Sequence, residues 1–333
     1  MQVHEKLFIG GEWVDPAGTD VIDVISPHSE ELVGRVPEGT TADIDRAVDA
    51  ARRADAVVFV GGLAHQAGGD DEGVDRRDLA LTAHQDKLIA RIVAANPRTA
   101  VVLIAGSPVD MTAWIAKAPA VMQAWYGGSE AGHAIAAVVF GDVSPSGKLP
   151  CTFPKSLRDS PAHATGDPRH YPGQGGKVFY DEGLLVGYRW NDSKAVEPLF
   201  PFGHGIGYTR FQYAGLQAKL TAAPDGPSAT LTLQLTNVGA REGAEIVQAY
   251  VRPVKPPVTR PDKELKAFAK VLLKPGETKT VTLTLGPRAF AYYAPDAKAW
   301  RVAGGRYELL VGASSRDIRL TSSVDVATPT LLK

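Results

Sequence analysis

An acidic loop near residue 70 contains the residue types that could do acid–base chemistry. Its charged side chains fall within residues 70–77 and are those of Asp70, Asp71, Glu72, Asp75, Arg76 and Arg77. Carboxyl groups this close together perturb one another, because like charges raise the pKa of a neighbouring carboxyl. Such a loop can present a general acid or base to a substrate. The alternative is a solvated acidic turn that has no catalytic role.

The elements on either side of the loop predict where it lies. An apolar run at residues 56–60 ends in Gly61 and Gly62, and a helix is expected from about residue 83. A buried strand, a charged loop and a helix are how α/β proteins place chemistry at the carboxyl ends of strands. The apolar pattern predicts helices at residues 86–95 and 129–140 and strands at residues 99–104 and 121–125, so that strands and helices alternate along this region. This alternation predicts a parallel sheet covered by helices.

The second half of the chain has a different pattern. Residues 154–207 are poor in regular pattern and rich in Pro, Gly, Tyr and His, which is typical of functional segments or of segments that wrap a neighbour. From residue 216 onward, about seven short strands predict an immunoglobulin-like β-sandwich. A strand is also expected at 149–153, where Cys151 is interpreted as a small buried residue and not as a nucleophile.

Residues 1–53 predict a β-hairpin, short strands and one amphipathic helix. Strands at 7–9 and 12–14 flank a two-residue Gly-Gly turn, and a helix is expected from Thr40 or Thr41. The notable stretches are Phe8-Ile9-Gly10-Gly11-Glu12-Trp13-Val14, Ile25-Ser26-Pro27 and the helix at 41–51. Together they resemble the amino terminus of aldehyde dehydrogenases. The resemblance brings no chemistry, since that family's catalytic cysteine segment and nicotinamide-binding loops have no counterpart in this sequence.

Composition and charge argue against several function classes. The formal net charge is -1, so there is no electrostatic basis for binding nucleic acid or an anionic membrane. The single cysteine excludes an internal disulfide and a multi-cysteine zinc site. No metal and no cofactor is expected, because the histidines lack metal-ligand spacing and no dinucleotide-binding glycine pattern occurs. The absence of a signal-peptide pattern and of a bilayer-length apolar run predicts a soluble, cytoplasmic protein.

A second set of motifs is spread over residues 54–325. The motifs are Glu72-Gly73-Val74-Asp75-Arg76, Ala124-Trp125-Tyr126-Gly127-Gly128, Pro145-Ser146-Gly147-Lys148-Leu149-Pro150, Tyr180-Asp181-Glu182-Gly183, Pro201-Phe202-Gly203-His204-Gly205, Lys263-Glu264-Leu265-Lys266 and Ser314-Ser315-Arg316-Asp317. They resemble the carboxyl-terminal part of family 3 glycoside hydrolases, the β-glucosidase-like group. The resemblance implies an α/β plus all-β fold, in which an α/β-sandwich domain with a mainly parallel sheet precedes a fibronectin type III-like β-sandwich. The implied domains are 1–53, 54–213 and 214–333.

The resemblance also implies roles for the acidic loop. It points to Glu72 as the catalytic acid/base, with Asp70 as the alternative acid if the loop register is shifted. In that family a (β/α)8 barrel precedes this region and supplies the aspartate nucleophile; here the barrel is absent, and the chain looks like a fusion of two fragments. The second carboxylate is therefore open, with Asp110, Glu130, Asp142 and Asp181 as candidates.

The residues expected to bind substrate are Asp75, Arg76, Trp125 and Tyr180. Asp75 and Arg76 are expected to form an internal pair that shapes the loop. Trp114, Trp125, Tyr126, Tyr171 and Tyr180 could stack on sugar faces, although core packing explains most such residues.

The function implied is hydrolysis of β-glucosides or related β-glycosides. The alternative is a non-catalytic carbohydrate-binding or structural remnant of a truncated enzyme. Without the barrel an apolar face would be exposed, which predicts a homo-oligomer.

Overall fold

The computed structural model describes residues 2–26, 29, 31–64, 69–70 and 75–332. The chain forms two compact units, Met1–Ile135 and Ala136–Lys333. The first contains a parallel sheet with helices and the second is mainly antiparallel β-structure, so the predicted combination of α/β and all-β regions is confirmed. The finer division into 1–53, 54–213 and 214–333 stays a prediction. No helix in the described part of the chain is long and apolar enough to cross a bilayer.

The first unit begins with five short strands. They are β1 (Gln2–Val3), β2 (Leu7–Ile9), β3 (Glu12–Val14), β4 (Val21–Ile25) and β5 (Leu32–Pro37). Strands β2 and β3 form the predicted antiparallel hairpin, with Gly10 and Gly11 both at positive φ, as a tight hairpin turn requires. Strand β5 pairs in parallel with β1 and antiparallel with β4.

Helix α1 (Thr41–Arg53) begins at a capping box, in which the side chains and backbone N–H groups of Thr40 and Asp43 satisfy each other. Its apolar side packs Val48 and Ala51 into one buried cluster with Ile92. Asp43 is itself buried and accepts a hydrogen bond of 3.0 Å from the backbone N–H of Ala17. The helix is therefore fixed to the amino-terminal strands on one side and to the sheet region on the other.

The central sheet of the first unit is parallel. Its strands lie in the order β6 (Val57–Gly62), β7 (Thr99–Ile104) and β8 (Ala120–Gln123). Helix α2 (Gln85–Ala95) connects β6 to β7, and helix α3 (Ala131–Val139) follows β8. In β7 the side chains at 101–103 are fully buried, as expected for the middle strand of a parallel sheet.

The long segment before the sandwich contains little regular structure, as predicted. It includes two short helices, α4 (Pro161–Ala164) and α5 (Tyr188–Ser193). The strand expected at 149–153 does not form; only an isolated bridge joins Phe153 to Phe200. Pro150 lacks the N–H that a strand ladder needs, and Cys151 is only partly buried.

The rest of the second unit is a β-sandwich. Its strands are β9 (Phe211–Thr221), β10 (Ser228–Asn237), β11 (Gly243–Pro253), β12 (Glu264–Leu273), β13 (Thr278–Leu285), β14 (Ala291–Ala294), β15 (Ala299–Val302), β16 (Gly305–Gly312), β17 (Ile318–Val326) and β18 (Thr330–Leu332). The two main sheets run in the orders β13-β10-β9 and β12-β11-β16-β17, and a small sheet has the order β14-β15-β18. Alternate side chains of β10, Leu231, Leu233 and Leu235, are fully buried between them. This alternation of apolar and polar residues is the pattern that predicts the strands of the sandwich from the sequence.

Candidate active site

The candidate site lies at the carboxyl edge of the parallel sheet in the first unit. Three loops meet there, after Gly62, after Ile104 and after Gln123, because the carboxyl ends of parallel strands lie along one edge. Gln85 fixes the first loop at its start: its side-chain amide donates to Gly62 O at 2.8 Å and accepts from Gly62 N at 2.9 Å.

Asp70 joins the three loops through its carboxylate. Its Oδ1 accepts a 2.5 Å hydrogen bond from Ser107 Oγ, and its Oδ2 accepts from Gly106 N at 2.6 Å and from Tyr126 Oη at 2.8 Å. The Asp70 backbone N–H donates to Ala64 O at 3.1 Å. The loop that carries the acidic residues is thus held at one residue by donors from the loops after β7 and β8.

Arg76 fixes the other end of the acidic loop. One of its terminal nitrogens donates to Ser107 Oγ at 2.9 Å and to Pro108 O at 3.0 Å, and the other donates to Ala80 O at 3.0 Å. Ser107 Oγ therefore accepts from Arg76 while it donates to Asp70. The predicted pairing of Arg76 with Asp75, which is exposed, stays a prediction.

Local backbone features allow these close approaches. A Cβ on Gly106 would lie 2.7 Å from the Tyr126 ring and 3.1 Å from Asp70 Oδ2, so only glycine fits between them. Trp125, directly before Tyr126, has a φ of 54°. A left-handed conformation at a bulky residue costs free energy and is often found at functional sites.

The hydrogen bonds shift the proton affinities of both partners. Partial burial alone would raise the pKa of the Asp70 carboxyl, but donation from Ser107, Tyr126 and Gly106 outweighs it and lowers that pKa below its ordinary value. Burial, together with the hydrogen bond to Asp70 and its negative charge, raises the pKa of Tyr126 to about 12. At neutral pH, Asp70 is therefore a carboxylate and Tyr126 is a phenol that donates to it.

The structure brings only some of the predicted site residues together. Asp70 and Arg76 meet at Ser107, while Glu72 lies outside the described residues. Trp125 is partly buried beside Tyr126. Tyr180 belongs to the second unit, where its side chain is 74% exposed, as a residue available to a ligand must be.

Two of the other predicted residues have clear structural roles. Trp114 is 1% exposed and its indole N–H donates to Asp86 at 2.9 Å, so it belongs to the core and cannot stack on a sugar. Asp110 Oδ1 accepts from the backbone and the hydroxyl of Thr112, which is the pattern of a local turn.

Other candidates for the second carboxylate also have partners. Glu130 contacts His133 at 2.7 Å, and Asp181 contacts His170 at 2.8 Å. Asp142 is exposed. Within the described part of the chain, no group of three His, Cys, Asp or Glu side chains could hold a metal ion.

Ser107 and the hydrogen-bonding role of Tyr126 were missed from sequence. Both follow strands whose ends were predicted, but neither residue type is diagnostic on its own. The strand order would have identified both residues, since the carboxyl ends of the parallel strands β6, β7 and β8 lie along one edge of the sheet.

Two family models match this chain. A family model described as "Glycosyl hydrolase family 3 C-terminal domain" matches residues 9–208, and one described as "Fibronectin type III-like domain" matches residues 245–315. The first match begins inside the segment that resembles aldehyde dehydrogenases, and the aldehyde-dehydrogenase-like origin of that segment stays a prediction.

Two relatives with similar sequences are β-glucosidases. A beta-glucosidase of Rhizobium radiobacter is 46% identical over 284 residues, which are 85% of this chain and 34% of that protein. Thermostable beta-glucosidase B of Acetivibrio thermocellus is 42% identical over 316 residues, which are 95% of this chain and 40% of that protein. The chain thus spans well under half the length of these relatives.

A solved structure shows the same fold. The GH3 beta-glucosidase of Bifidobacterium adolescentis superposes with a TM-score of 0.81 at 38% identity, covering 87% of this chain and 42% of that one. Since the first family model also matches more than half of the sequence, the chain belongs to the glycosyl hydrolase family 3 C-terminal domain family.

Proposed function

We propose that this chain carries the acid/base loop of a retaining β-glycosidase that hydrolyses β-glucosides or related β-glycosides. Glu72 is the proposed acid/base. The observation that supports this most directly is the anchoring of Asp70, two residues before Glu72, by Gly106, Ser107 and Tyr126. A catalytic carboxyl must be held close to its working position, and this anchor fixes the chain next to it.

Retaining hydrolysis uses two carboxyl groups about 5 Å apart. One is the nucleophile; the other protonates the leaving-group oxygen and then activates water. The proton donor works best with a raised pKa. Asp70 is unsuited to that role because its pKa is lowered. We therefore assign Asp70 to positioning. A carboxylate two residues away in sequence is expected to favour the protonated form of Glu72.

The residues proposed to take part in substrate binding are Asp75, Arg76, Trp125 and Tyr180. Arg76 shapes the loop through Ser107, Pro108 and Ala80, so its contribution to binding is indirect. Trp125 and Tyr180 offer aromatic faces on which a sugar ring can stack.

Asp110, Glu130 and Asp181 already have structural partners, so none of the three is assigned as the nucleophile. The protein is also proposed to form a cytoplasmic homo-oligomer. Light scattering that shows a monomer at micromolar concentration would contradict the oligomer, and cell fractionation tests the compartment.

The second candidate function is a non-catalytic carbohydrate-binding or structural remnant of such an enzyme. It is favoured by the structural partners of Asp110, Glu130 and Asp181, since none of these three carboxylates is then assigned as a nucleophile. In either case we propose that residues 1–53 derive from an aldehyde-dehydrogenase-like fragment, so that the chain is a fusion. Sequencing the transcript across codons 40–60 tests whether the fusion is expressed as one chain.

The deciding experiment measures turnover of two aryl β-glucosides, one with a poor and one with an activated leaving group. Removal of the acid in Glu72→Gln is expected to slow the poor leaving group by at least about a hundredfold and the activated one much less, since that group needs no protonation. Glu12→Gln, an exposed glutamate on β3, is the matched control. Sugar binding without turnover in the wild type would support the remnant instead.

A further inference from the structure

A groove of about 520 Å³ lies in the second unit, away from the acidic loop in sequence. Its lining residues fall within 145–148, 205–211, 238–245 and 313–319. Its volume is in the range of small-molecule sites, which also combine apolar walls with a few convergent polar groups. The groove has no role in the proposed glycosidase chemistry.

Four of its charged residues form two ion pairs. Lys148 Nζ lies 2.9 Å from Glu245 Oε1 and donates to Gly205 O at 2.7 Å; both side chains are only 11% exposed. Arg319 binds both carboxylate oxygens of Asp317, one of them at 2.6 Å. These pairs fix the positions of two carboxylates and two cations along the groove.

A fifth charged residue, Arg210, is exposed at the groove and has no ion-pair partner among the residues that the structure describes. The lining therefore holds three cations, Lys148, Arg210 and Arg319, against two carboxylates. The excess positive charge is that of Arg210. A guanidinium in this setting favours a carboxylate or another planar anion, which it can bind with two hydrogen bonds.

The rest of the lining narrows the class of ligand. Asp317 and the largely buried Glu245 contribute carboxylates, which can accept hydrogen bonds from hydroxyl groups, and Phe211 contributes an aromatic side chain to the lining. A simple inorganic anion would use neither feature. A ligand with hydroxyl groups, an apolar ring face and one negative charge uses all of them.

We propose that this groove binds an acidic monosaccharide of the hexuronate class. The sugar carboxylate pairs with Arg210, its hydroxyls donate to Glu245 and Asp317, and its ring lies against Phe211. Binding is reversible and non-covalent, so it requires no reaction step. The site is independent of Glu72, and its occupancy does not depend on whether the chain hydrolyses glycosides.

Titration calorimetry with sodium D-glucuronate, D-glucose and sodium acetate tests this. Glucuronate is expected to bind more tightly than glucose and more tightly than acetate. In Arg210→Gln its affinity is expected to fall about tenfold, the usual effect of losing one charge-assisted contact. Lys219→Gln, which removes an exposed cation on β9, is the control and is expected to leave the affinity unchanged. Circular dichroism checks that both variants fold.

Four outcomes would overturn the proposal. Equal affinities for glucose and glucuronate would show that the charge of Arg210 is not used. Equal affinities for acetate and glucuronate would show a simple anion site. Unchanged glucuronate affinity in Arg210→Gln, or no heat of binding at about 20 mM ligand, a concentration that still reveals weak binding, would show that the groove is not the site.

Discussion

The Tyr126 hydroxyl donates a 2.8 Å hydrogen bond to Asp70 Oδ2, across 56 residues of sequence. This contact ties the end of β8 to the acidic loop after β6. It also explains why the two groups have opposite pKa shifts, since the charged form of Asp70 is the acceptor and the neutral form of Tyr126 is the donor. The anchor is consequently stable over a wide pH range around neutrality.

Replacing Tyr126 with Phe removes this donor and keeps the ring. The expected results are a loss of about 1 kcal/mol in the free energy of unfolding and a rise in the pKa of Asp70 toward its ordinary value. Carboxyl-carbon NMR measures the pKa directly. Tyr293→Phe, on a half-exposed tyrosine of β14, is the control. An unchanged Asp70 pKa in Tyr126→Phe would show that the contact does not form in solution.

The anchor is expected to fail in acid. The folded-state pKa of Asp70 is lowered, so its stabilising contribution is present above the unfolded-state pKa of about 4 and is lost as pH falls through the folded-state value. The Gly106 N–H, which donates to Asp70, reports this loss. Its hydrogen-exchange protection should decline below about pH 4 relative to neighbouring amides.

Asp70→Asn separates this effect from general acid unfolding. In this variant the Gly106 N–H should have weak hydrogen-exchange protection already at neutral pH. In acid, its protection should change no more than that of neighbouring amides. Asp55→Asn, at a fully exposed aspartate, should behave like the wild type. A Gly106 acid response that survives in Asp70→Asn would mean that another group is responsible.

Sequence reasoning predicted the elements that repeat a simple period. The hairpin at β2 and β3, the strand β7 and the helix α1 were predicted at or near their observed limits, because each has an alternating or helical apolar pattern with a clear turn or cap. Strand β8 ends two residues earlier than predicted, since Trp125 adopts positive φ and leaves the strand. Apolar character alone does not carry that information.

The site was predictable in its location and not in its contacts. The carboxylates of the acidic loop were identified from residue type, but Asp70 was considered as an acid because its partners were unknown. Ser107 is 37 residues away and Tyr126 is 56, and only the strand order brings them to Asp70. The hydrogen bonds from these residues lower the pKa of Asp70 and keep it ionised at neutral pH.

Gly62 is expected to be intolerant of any side chain. Its φ is 150°, and a Cβ there would lie 1.8 Å from Ile104 O on the adjacent strand β7. Gly62→Ala should therefore destabilise the protein by about 3 kcal/mol or more. Urea unfolding followed by tryptophan fluorescence, with Trp114 in the core of this unit, measures the change.

Gly132→Ala is the matched control for that substitution. Gly132 lies in helix α3 and has no atom within 4 Å of an added Cβ. Alanine favours helix over glycine by up to about 1 kcal/mol, so this variant should be as stable as the wild type or more so. Similar losses in both variants would show that strain at Gly62 is not the cause.

The ion pair of Lys148 and Glu245 should behave as a partly buried charge pair. Its two side chains are 11% exposed, so removing one partner leaves the other charge poorly solvated. Lys148→Met is expected to cost about 3 kcal/mol, and Glu245→Gln a comparable amount. The double variant is expected to cost clearly less than the sum, because no uncompensated charge is left behind.

Urea unfolding of the wild type, the two single variants and the double variant at neutral pH gives the coupling free energy between Lys148 and Glu245. Lys279→Met, at a lysine that is 48% exposed and paired with Glu277, is expected to cost less than about 1 kcal/mol, as surface pairs do. A coupling near zero between Lys148 and Glu245 would mean that solvent reaches the pair as freely as it reaches the surface pair. In that case the two residues could not hold their charges in fixed positions along the groove.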